Sequence, residues 1–517
     1  MTLILPSFIW LILLPLLSAP VIYLASRLLT YGVGDFFFGK LALDEKQSPR
    51  SLIPRLVALA ALLVAWIPFI GAVRDFSITG PTAVLVGAIP LRVDGLSLLL
   101  SALTLSLGTL VVLFSGPYMA GETGEEKYYT MLVAMVGVIN GLGYAADLFN
   151  LWVWFEAMAI TSYLLVAFYK EQPASLEAGV KYLIQSACGT VLVLLGIALV
   201  LAFTGTLNLE EIRQHAAGPQ PGLIAAGALF LIGFGVKIAL APMHTWLPDA
   251  HSQAPSGISA LLSGVVIETG LIALLRSLAP LAGASLAWGP LLLAFGAVNM
   301  LVGNLMALRQ TQVKRLLAYS SLAHIGYMVF GLGMAIFAGQ SAGAQGSLFH
   351  LINHGLMKGL AFLSAGALLY TLHLQRGDHN PLIASDLNGA AGRYPLIALA
   401  FSLAVLGLGG LPPLAGFMSK WQIFTAGFTA HNSVLAALVI FAALNSVLSL
   451  AYYAPLVNAL YRKRPSRVVA EGLPLPRLMN VPLVLLAACV LAFGLWPNLL
   501  NWLTEPAGAA VMAAFGF

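Results

Sequence analysis

A set of ionisable side chains falls inside stretches otherwise too apolar to hold them. They are Glu156, Lys181, Lys237, Glu268, His324, His350, His354, Lys358 and Lys420, with Lys314 at the edge of one more. An ammonium at the middle of a bilayer costs roughly 2.5–3.5 kcal/mol even on lenient insertion scales. One such charge reads as a snorkelling side chain or a structural pair; a set spread over many segments does not. Acids and bases alternate among them. Desolvation weakens a lysine's hold on its proton and a nearby carboxylate strengthens it, so moving one charge changes the occupancy of the next. Histidine exchanges protons near neutral pH. This is the chemistry of a proton relay. Spacing supports part of it directly: His350, His354 and Lys358 recur at i, i+4 and i+8, one face of one helix.

Two of the lysines stand beside helix breakers. In GVKIALAPMHTWLPD (235–249), Lys237 precedes Pro242; Lys420 comes after Gly409, Gly410, Pro412, Pro413 and Gly416. A broken helix is tolerated at membrane depth only where its freed backbone groups face protein or water, so Lys237 is expected to border a hydrated cavity. Two broken, lysine-bearing helices five spans apart imply an inverted pair of five-helix repeats.

The elements that carry these residues are membrane spans. Of 517 residues 60% are hydrophobic and 9% charged, with mean hydropathy +0.92, where a soluble chain carries about 25% charged residues. Runs of about 20 apolar residues give an all-α polytopic membrane protein of about fourteen helices. Their expected ranges are 5–28, 53–73, 95–118, 128–146, 148–169, 177–204, 222–241, 255–278, 286–307, 315–337, 344–370, 393–428, 433–460 and 480–503. They group as 1–118 (helices one to three), 128–278 (first repeat), 286–460 (second repeat) and 480–517 (the last helix), with helices seven and twelve broken. The first run lacks a basic leader and a cleavage site and reads as a retained span.

Loop charges orient the bundle. Odd connections carry Lys40, Lys46, Arg50, Arg55, Arg309, Lys314, Arg315, Arg376, Arg393, Arg462, Lys463, Arg464, Arg467 and Arg477; even ones carry Arg74, Arg92, Arg213 and Arg276. The positive-inside rule puts the odd side in the cytoplasm and both termini outside a bacterial or archaeal cytoplasmic membrane. No connection is long enough for a soluble catalytic domain, and no nucleotide-binding loop or zinc spacing occurs. Cys188 and Cys489 cannot supply a four-thiolate cluster. No cofactor, metal site or nucleic-acid partner is expected.

The stretches DLFNLWVWFEAMAITSYLL (147–165), VKIALAPMHTWLPDAHSQAPSGISALLSG (236–264), VKRLLAYSSLAHIGYM (313–328), FHLINHGLMKGLAFL (349–363) and LPPLAGFMSKW (411–421) resemble the antiporter-like subunit family. Its members are the proton-pumping membrane subunits of respiratory complex I, relatives in membrane-bound hydrogenases, and two large subunits of Mrp-type Na⁺/H⁺ antiporters. The resemblance covers roughly residues 90–425. It implies fourteen helices in two inverted repeats, and it implies roles. Glu156 matches the fifth-helix glutamate and Lys237 the lysine that pairs with it; Lys181 matches a sixth-helix lysine of some members. Lys420 matches the terminal site on the broken twelfth helix. His324, His350, His354 and Lys358 fall where the family places connecting polar residues.

One departure stands out. In SALLSGVVIETG (259–270), Glu268 occupies a position where many members carry lysine, and Gln312 lies near one that is often acidic. An acid at 268 reverses the sign of the central element. The end of the chain soon after the last span favours the medium-sized complex I subunits, the corresponding hydrogenase subunit or the smaller Mrp-type subunit. The leading expectation is a proton-translocating subunit of an energy-converting complex, with other membrane subunits and peripheral iron–sulfur redox subunits as partners. The alternative is an Mrp-type Na⁺/H⁺ antiporter subunit, in which Glu156 and Glu268 bind Na⁺. A haem carrier is the reading from another class, but His350 and His354 share one helix and the lysines would go unexplained.

Overall fold

The computed structural model describes residues 6–30, 49–284 and 288–517. Lys40 and Lys46, two of the charges that orient the bundle, lie outside the described residues, as does 286, the expected start of the ninth span. Among the described residues, 11 helices are long and apolar enough to cross a membrane. In order they include Ile9–Leu28, Leu52–Thr79, Gly95–Tyr118, Leu148–Val166, Pro173–Thr204, Ser256–Ala284, Trp288–Ala307, Val313–Ala338, Ser341–Arg376, Ser433–Leu460 and Arg477–Leu495. The other three expected segments form helices that fall short. Glu125–Tyr144 opens on charged residues, and Pro221–Lys237 and Pro395–Gly409 are cut short by breaks.

Burial sorts the spans. Ser256–Ala284 is 100% buried over its apolar window, Ser341–Arg376 94% and Val313–Ala338 89%, whereas Ser433–Leu460 is 28% and Pro173–Thr204 33%. A bilayer satisfies the outer faces of peripheral helices, but the three inner ones meet only protein. Glu268, His324, His350, His354 and Lys358 all sit on these three. The polar residues therefore run along a protein-lined axis.

Glycines bring a flanking helix close to an inner one. Gly289, Gly296 and Gly303 recur every seven residues on Trp288–Ala307 and lie against Gly333, Gly326 and Ala323 of Val313–Ala338. A Cβ at Gly296 would stand 2.6 Å from Phe330 N and 2.8 Å from Gly326 O. Without a hydrophobic drive between helices in lipid, close packing of this kind holds the pair together. It fixes His324 relative to Asn299.

A short antiparallel hairpin, Thr82–Val86 with Ile89–Val93, precedes the third span, an element not expected from the sequence. It delivers Asp94, whose carboxylate accepts Ser97 N–H (2.8 Å) while Ser97 Oγ accepts Asp94 N–H (2.9 Å), a reciprocal cap. Arg276, a loop charge by the sequence pattern, is instead buried at the end of the inner helix. Its Nη2 donates to Asp94 Oδ1 (3.0 Å) and to Gly143 O (2.7 Å). Hydropathy alone puts it at the helix margin, where a buried partner on another helix is invisible. Arg276→Leu would leave Asp94, among the described residues, with only Arg92 at 3.6 Å and the Ser97 N–H, and we expect a loss of about 1–3 kcal/mol, read as a lower unfolding temperature in detergent.

On the odd side, Arg376 pairs with Glu471 (3.0 Å) and Arg393 donates to Gly472 O (2.5 Å). The eleventh and thirteenth connections are thus tied together. Hydrogen bonds from Arg467 and Arg376 hold the Glu471 carboxyl below the usual carboxylate range.

Candidate functional site

The helix Pro221–Lys237 ends on its lysine, and the next, Trp246–Gln253, starts after a non-helical stretch. Ala239 takes φ 56° there, a left-handed conformation unusual for a residue with a Cβ. Asn299 braces the break. Its Oδ1 accepts Ala241 N–H (2.6 Å) and its Nδ2 donates to Ala239 O (3.3 Å) and Leu322 O (3.4 Å). Trp246 Nε1 donates back to Val236 O (2.8 Å). The freed backbone groups thus find partners inside the protein.

Lys237 is 1% exposed. Its Nζ donates to Tyr182 Oη (2.5 Å) and stands 4.6 Å from the ring centroid. That ring stacks on Trp246 at 3.9 Å and 3°. Glu156 Oε2 accepts from Thr190 Oγ1 at 2.5 Å. No ion pair joins Glu156 to Lys237 among the described residues, unlike the pairing the resemblance implies. One helix, Pro173–Thr204, engages both, through residues eight apart in sequence, which at 1.5 Å per residue separates them by about 12 Å along its axis. Gly270, two residues after Glu268, packs against the lysine stem: a Cβ there would stand 3.3 Å from Lys237 Cγ.

The inner helix carrying Glu268 opens as Ser256–Leu261, widens to a π-turn at Leu262–Val266 and resumes at Ile267. A π-turn holds one more residue than an α-turn, which rotates the resumed helix by about 100°. Glu268 is the second residue after it. Its Oε1 lies 2.7 Å from His354 Nδ1, and both side chains are fully buried. His324 completes a triangle of rings with the other two, 5.1 Å from His354 and 5.2 Å from His350, which are 6.3 Å from each other. His324 Nδ1 is 3.0 Å from His350 Nε2, and His350 Nδ1 is 2.8 Å from Ser419 Oγ.

The next residue is Lys420. Its Nζ donates to Leu408 O and Ser446 Oγ, both at 2.8 Å, and lies 4.8 Å from the Tyr327 ring centroid. Leu408 belongs to the helix Pro395–Gly409, and Lys420 to Ala415–Thr429. The ammonium therefore caps the carboxyl end of the preceding half-helix, where free carbonyls and the helix dipole favour a cation. Ser446 Oγ donates to Gly409 O (3.2 Å) and completes the cap.

The remaining candidates lie off this line. Lys358 is fully buried, and its Nζ donates to Leu317 O (2.7 Å) and Ser320 Oγ (2.5 Å). Ser320 in turn bonds Tyr453. Lys314 donates to Ala254 O (2.5 Å). Lys181 departs from the expected buried charge: its side chain is 46% exposed, paired with Glu177 one turn earlier and with Asp249. Its position on the outward face of a peripheral helix explains the difference. Asp249 also pairs with Arg315 (2.5 Å).

Tyr182, Asn299, Ser419, Ser446 and Tyr327 join the candidate site through their contacts and are missed by sequence reasoning, because neutral polar residues do not stand out in apolar runs. Only their distance to a lysine or a break reveals them. His251 is likewise buried, stacked on Phe362 at 4.7 Å, with neither ring nitrogen hydrogen-bonded among the described residues.

The family described as NADH:quinone oxidoreductase/Mrp antiporter, transmembrane, matches residues 145–446, the stretch that holds all these groups. The chain is 34% identical over 419 residues to NADH-quinone oxidoreductase subunit N 2 of Roseiflexus castenholzii, covering 79% of this chain and 82% of that one. It is 33% identical over 418 residues to F(420)H(2) dehydrogenase subunit N of Methanosarcina mazei, with the same coverage. Among solved structures it superimposes on a chain of an archaeal membrane-bound sulfane sulfur reductase, a respiratory membrane complex, with TM-score 0.84 and 26% identity over 99% of both chains. A chain of Thermus thermophilus respiratory complex I gives TM-score 0.71 at 28% identity, over 94% of this chain and 98% of that one. A chain of the Mrp complex from Dietzia sp. gives 0.82 at 22% identity over 100% of both, a likeness of fold. These matches span the breaks, the inner helices and the buried polar line together, and the chain belongs to the transmembrane family of NADH:quinone oxidoreductase and Mrp antiporter subunits.

Proposed function

We propose that the chain translocates protons as an antiporter-like subunit of a multisubunit energy-converting complex, of the complex I-like NADH/quinone oxidoreductase or related hydrogenase kind. The observation that carries this reading is the buried line Glu268–His354, His324–His350–Ser419 and Lys420. The hydrogen bonds Glu268–His354 and His324–His350–Ser419 are short enough for proton hops. In this reading water or side-chain turning carries the proton from His354 to His324, whose rings are 5.1 Å apart, and from Ser419 to Lys420. Glu156 and Lys237 form the entry pair, brought together by water or by side-chain movement. Electron transfer in peripheral iron–sulfur subunits would shift their charge, and the disturbance would pass along the line to Lys420. Moving one charge against 100 mV costs about 2.3 kcal/mol.

Lysines and histidines predominate on the line. An ammonium donates hydrogen bonds and cannot ligate a cation, which favours proton over sodium transport. The two breaks, after Lys237 and before Lys420, support a division into repeats at 128–278 and 286–460. The arginine-rich odd connections support a cytoplasmic-membrane orientation with both termini outside. In this reading the chain holds no cofactor of its own.

The test is purification of the tagged chain in mild detergent from native membranes, with its companions identified and ion flux measured in vesicles. We expect redox subunits and proton uptake independent of sodium. Small membrane proteins without redox centres, with sodium-dependent exchange, would make it an Mrp-type antiporter subunit instead.

A further inference from the structure

Glu268 poses a problem for any relay in which the central element is a lysine. A lysine steps between net charge 0 and +1; a lone carboxylate steps between −1 and 0. A buried ion without a partner is expensive, and Glu268 is completely buried. The structure gives it a partner from another helix, His354, at 2.7 Å.

We propose that Glu268 and His354 act as one unit in place of a lysine, a hydrogen-bonded pair that takes in a proton at one end and releases it at the other. The assignment rests on the proton-translocating reading and specifies its central step. With one proton beyond the neutral imidazole and the carboxylate, the pair is neutral overall. With a second it carries +1. Its charge steps are therefore those of a lysine, and the sign reversal that the isolated glutamate implies disappears.

Geometry supplies the ends. Of the four polar side-chain atoms in the pair, Oε1 and Nδ1 face each other, while Glu268 Oε2 and His354 Nε2 are both buried and without a hydrogen-bond partner among the described residues. Unsatisfied buried polar atoms are rare in native proteins, and here two occur at opposite termini of one hydrogen bond. From the neutral state, with Oε1–H donating to Nδ1 and a hydrogen on Nε2, a proton bonds to Oε2. The Oε1–H bond breaks as the Nδ1–H bond forms, and the proton on Nε2 then leaves. One proton enters, one departs, and no electron moves. The cycle closes when a half-turn of the carboxyl brings Oε2–H round to the ring and the imidazole regains its first tautomer, its Nδ1 proton passing out and one returning to Nε2 from the same side, with no further net transfer.

The surroundings favour onward transfer. His324 stacks on His354, and His350 packs beside both. Lys358 comes one turn later on the same helix, its ammonium directed to Leu317 O and Ser320. Lys237 lies against Gly270 of the Glu268 helix, and Lys420 lies past Ser419. All of these are bases, so a positive charge arriving on any of them disfavours the +1 state of the pair and moves its proton along.

The test uses the intact complex in native membrane vesicles, with assembly quantified for every variant. We expect E268Q and H354Q each to lower proton transport roughly a hundredfold, because neither amide carries a proton through. We expect E268K combined with H354A to regain most of the transport, since a lysine alone supplies the same charge steps. Infrared difference spectra should show a protonated-carboxyl carbonyl band that E268Q removes and H354Q shifts. Full transport in either single variant overturns the pair, as does an assembled double variant no better than the singles. Lys237→Ala separates the two levels: unchanged transport there overturns the proton-translocating reading, whereas lost transport there with E268Q active overturns only the pair.

Discussion

Lys237→Ala should abolish proton transport by the assembled complex while leaving the chain in the membrane at normal abundance. The lysine ends its helix, so alanine there removes no backbone hydrogen bond and has the best helix propensity. The brace around the break does not involve the ammonium: Asn299 holds Ala239, Ala241 and Leu322, and Trp246 holds Val236. Alanine does remove the ammonium bound to Tyr182 and packed beside the Glu268 helix, the proposed proton carrier. Lys237→Arg distinguishes charge from exchange. Arginine keeps the cation but does not release its proton in a protein, so it should fail as completely as alanine. Both variants are read in one assay of proton uptake in vesicles, with the expected loss at least tenfold, about 1.4 kcal/mol on the barrier. Transport retained by the arginine variant would mean that Lys237 acts only as a fixed charge.

Much of this is legible in the sequence because membrane physics is strict. An ionisable residue in an apolar run is costly wherever it points, so Glu268, His350, His354 and Lys420 announce themselves before any helix is placed. The breaks at Pro242 and Pro412–Pro413 are equally plain. The direction in which a side chain turns stays hidden. Lys181 and Lys237 look alike in their runs, yet one lies on the surface beside Glu177 and the other is enclosed by Tyr182. Arg276 looks like a loop charge and is a buried partner of Asp94. The π-turn at Leu262–Val266 leaves no composition signal, although it turns the segment that carries Glu268. The hairpin Thr82–Val93 is too short to stand out between two spans. The braces, Asn299 for the first break and Ser446 for the second, are ordinary polar residues until the carbonyls they hold are known.

In the proposed relay Lys420 has two roles, helix cap and proton carrier, that one substitution cannot separate but a pair can. The residue is 2% exposed, its ammonium caps Leu408 O at the end of the half-helix Pro395–Gly409, and it follows Ser419, where the hydrogen bonds from His350 end. Lys420→Ala removes both. An unpaired buried carbonyl costs about 1–3 kcal/mol, so the unfolding temperature of the purified chain should fall together with transport. Lys420→Arg restores a cation at the negative end of the helix dipole, where it is favoured, and reaches the same carbonyl with its guanidinium. We expect the arginine variant to regain the thermal stability lost by alanine and to remain without transport. That split, stability recovered and flux absent, is what a cap that also exchanges a proton requires. If arginine restores both, Lys420 is a helix cap alone and the line must end at His350. If it restores neither, the 2.8 Å contact to Leu408 O depends on the shape of the lysine, and the broken helix is held by Ser446 without help.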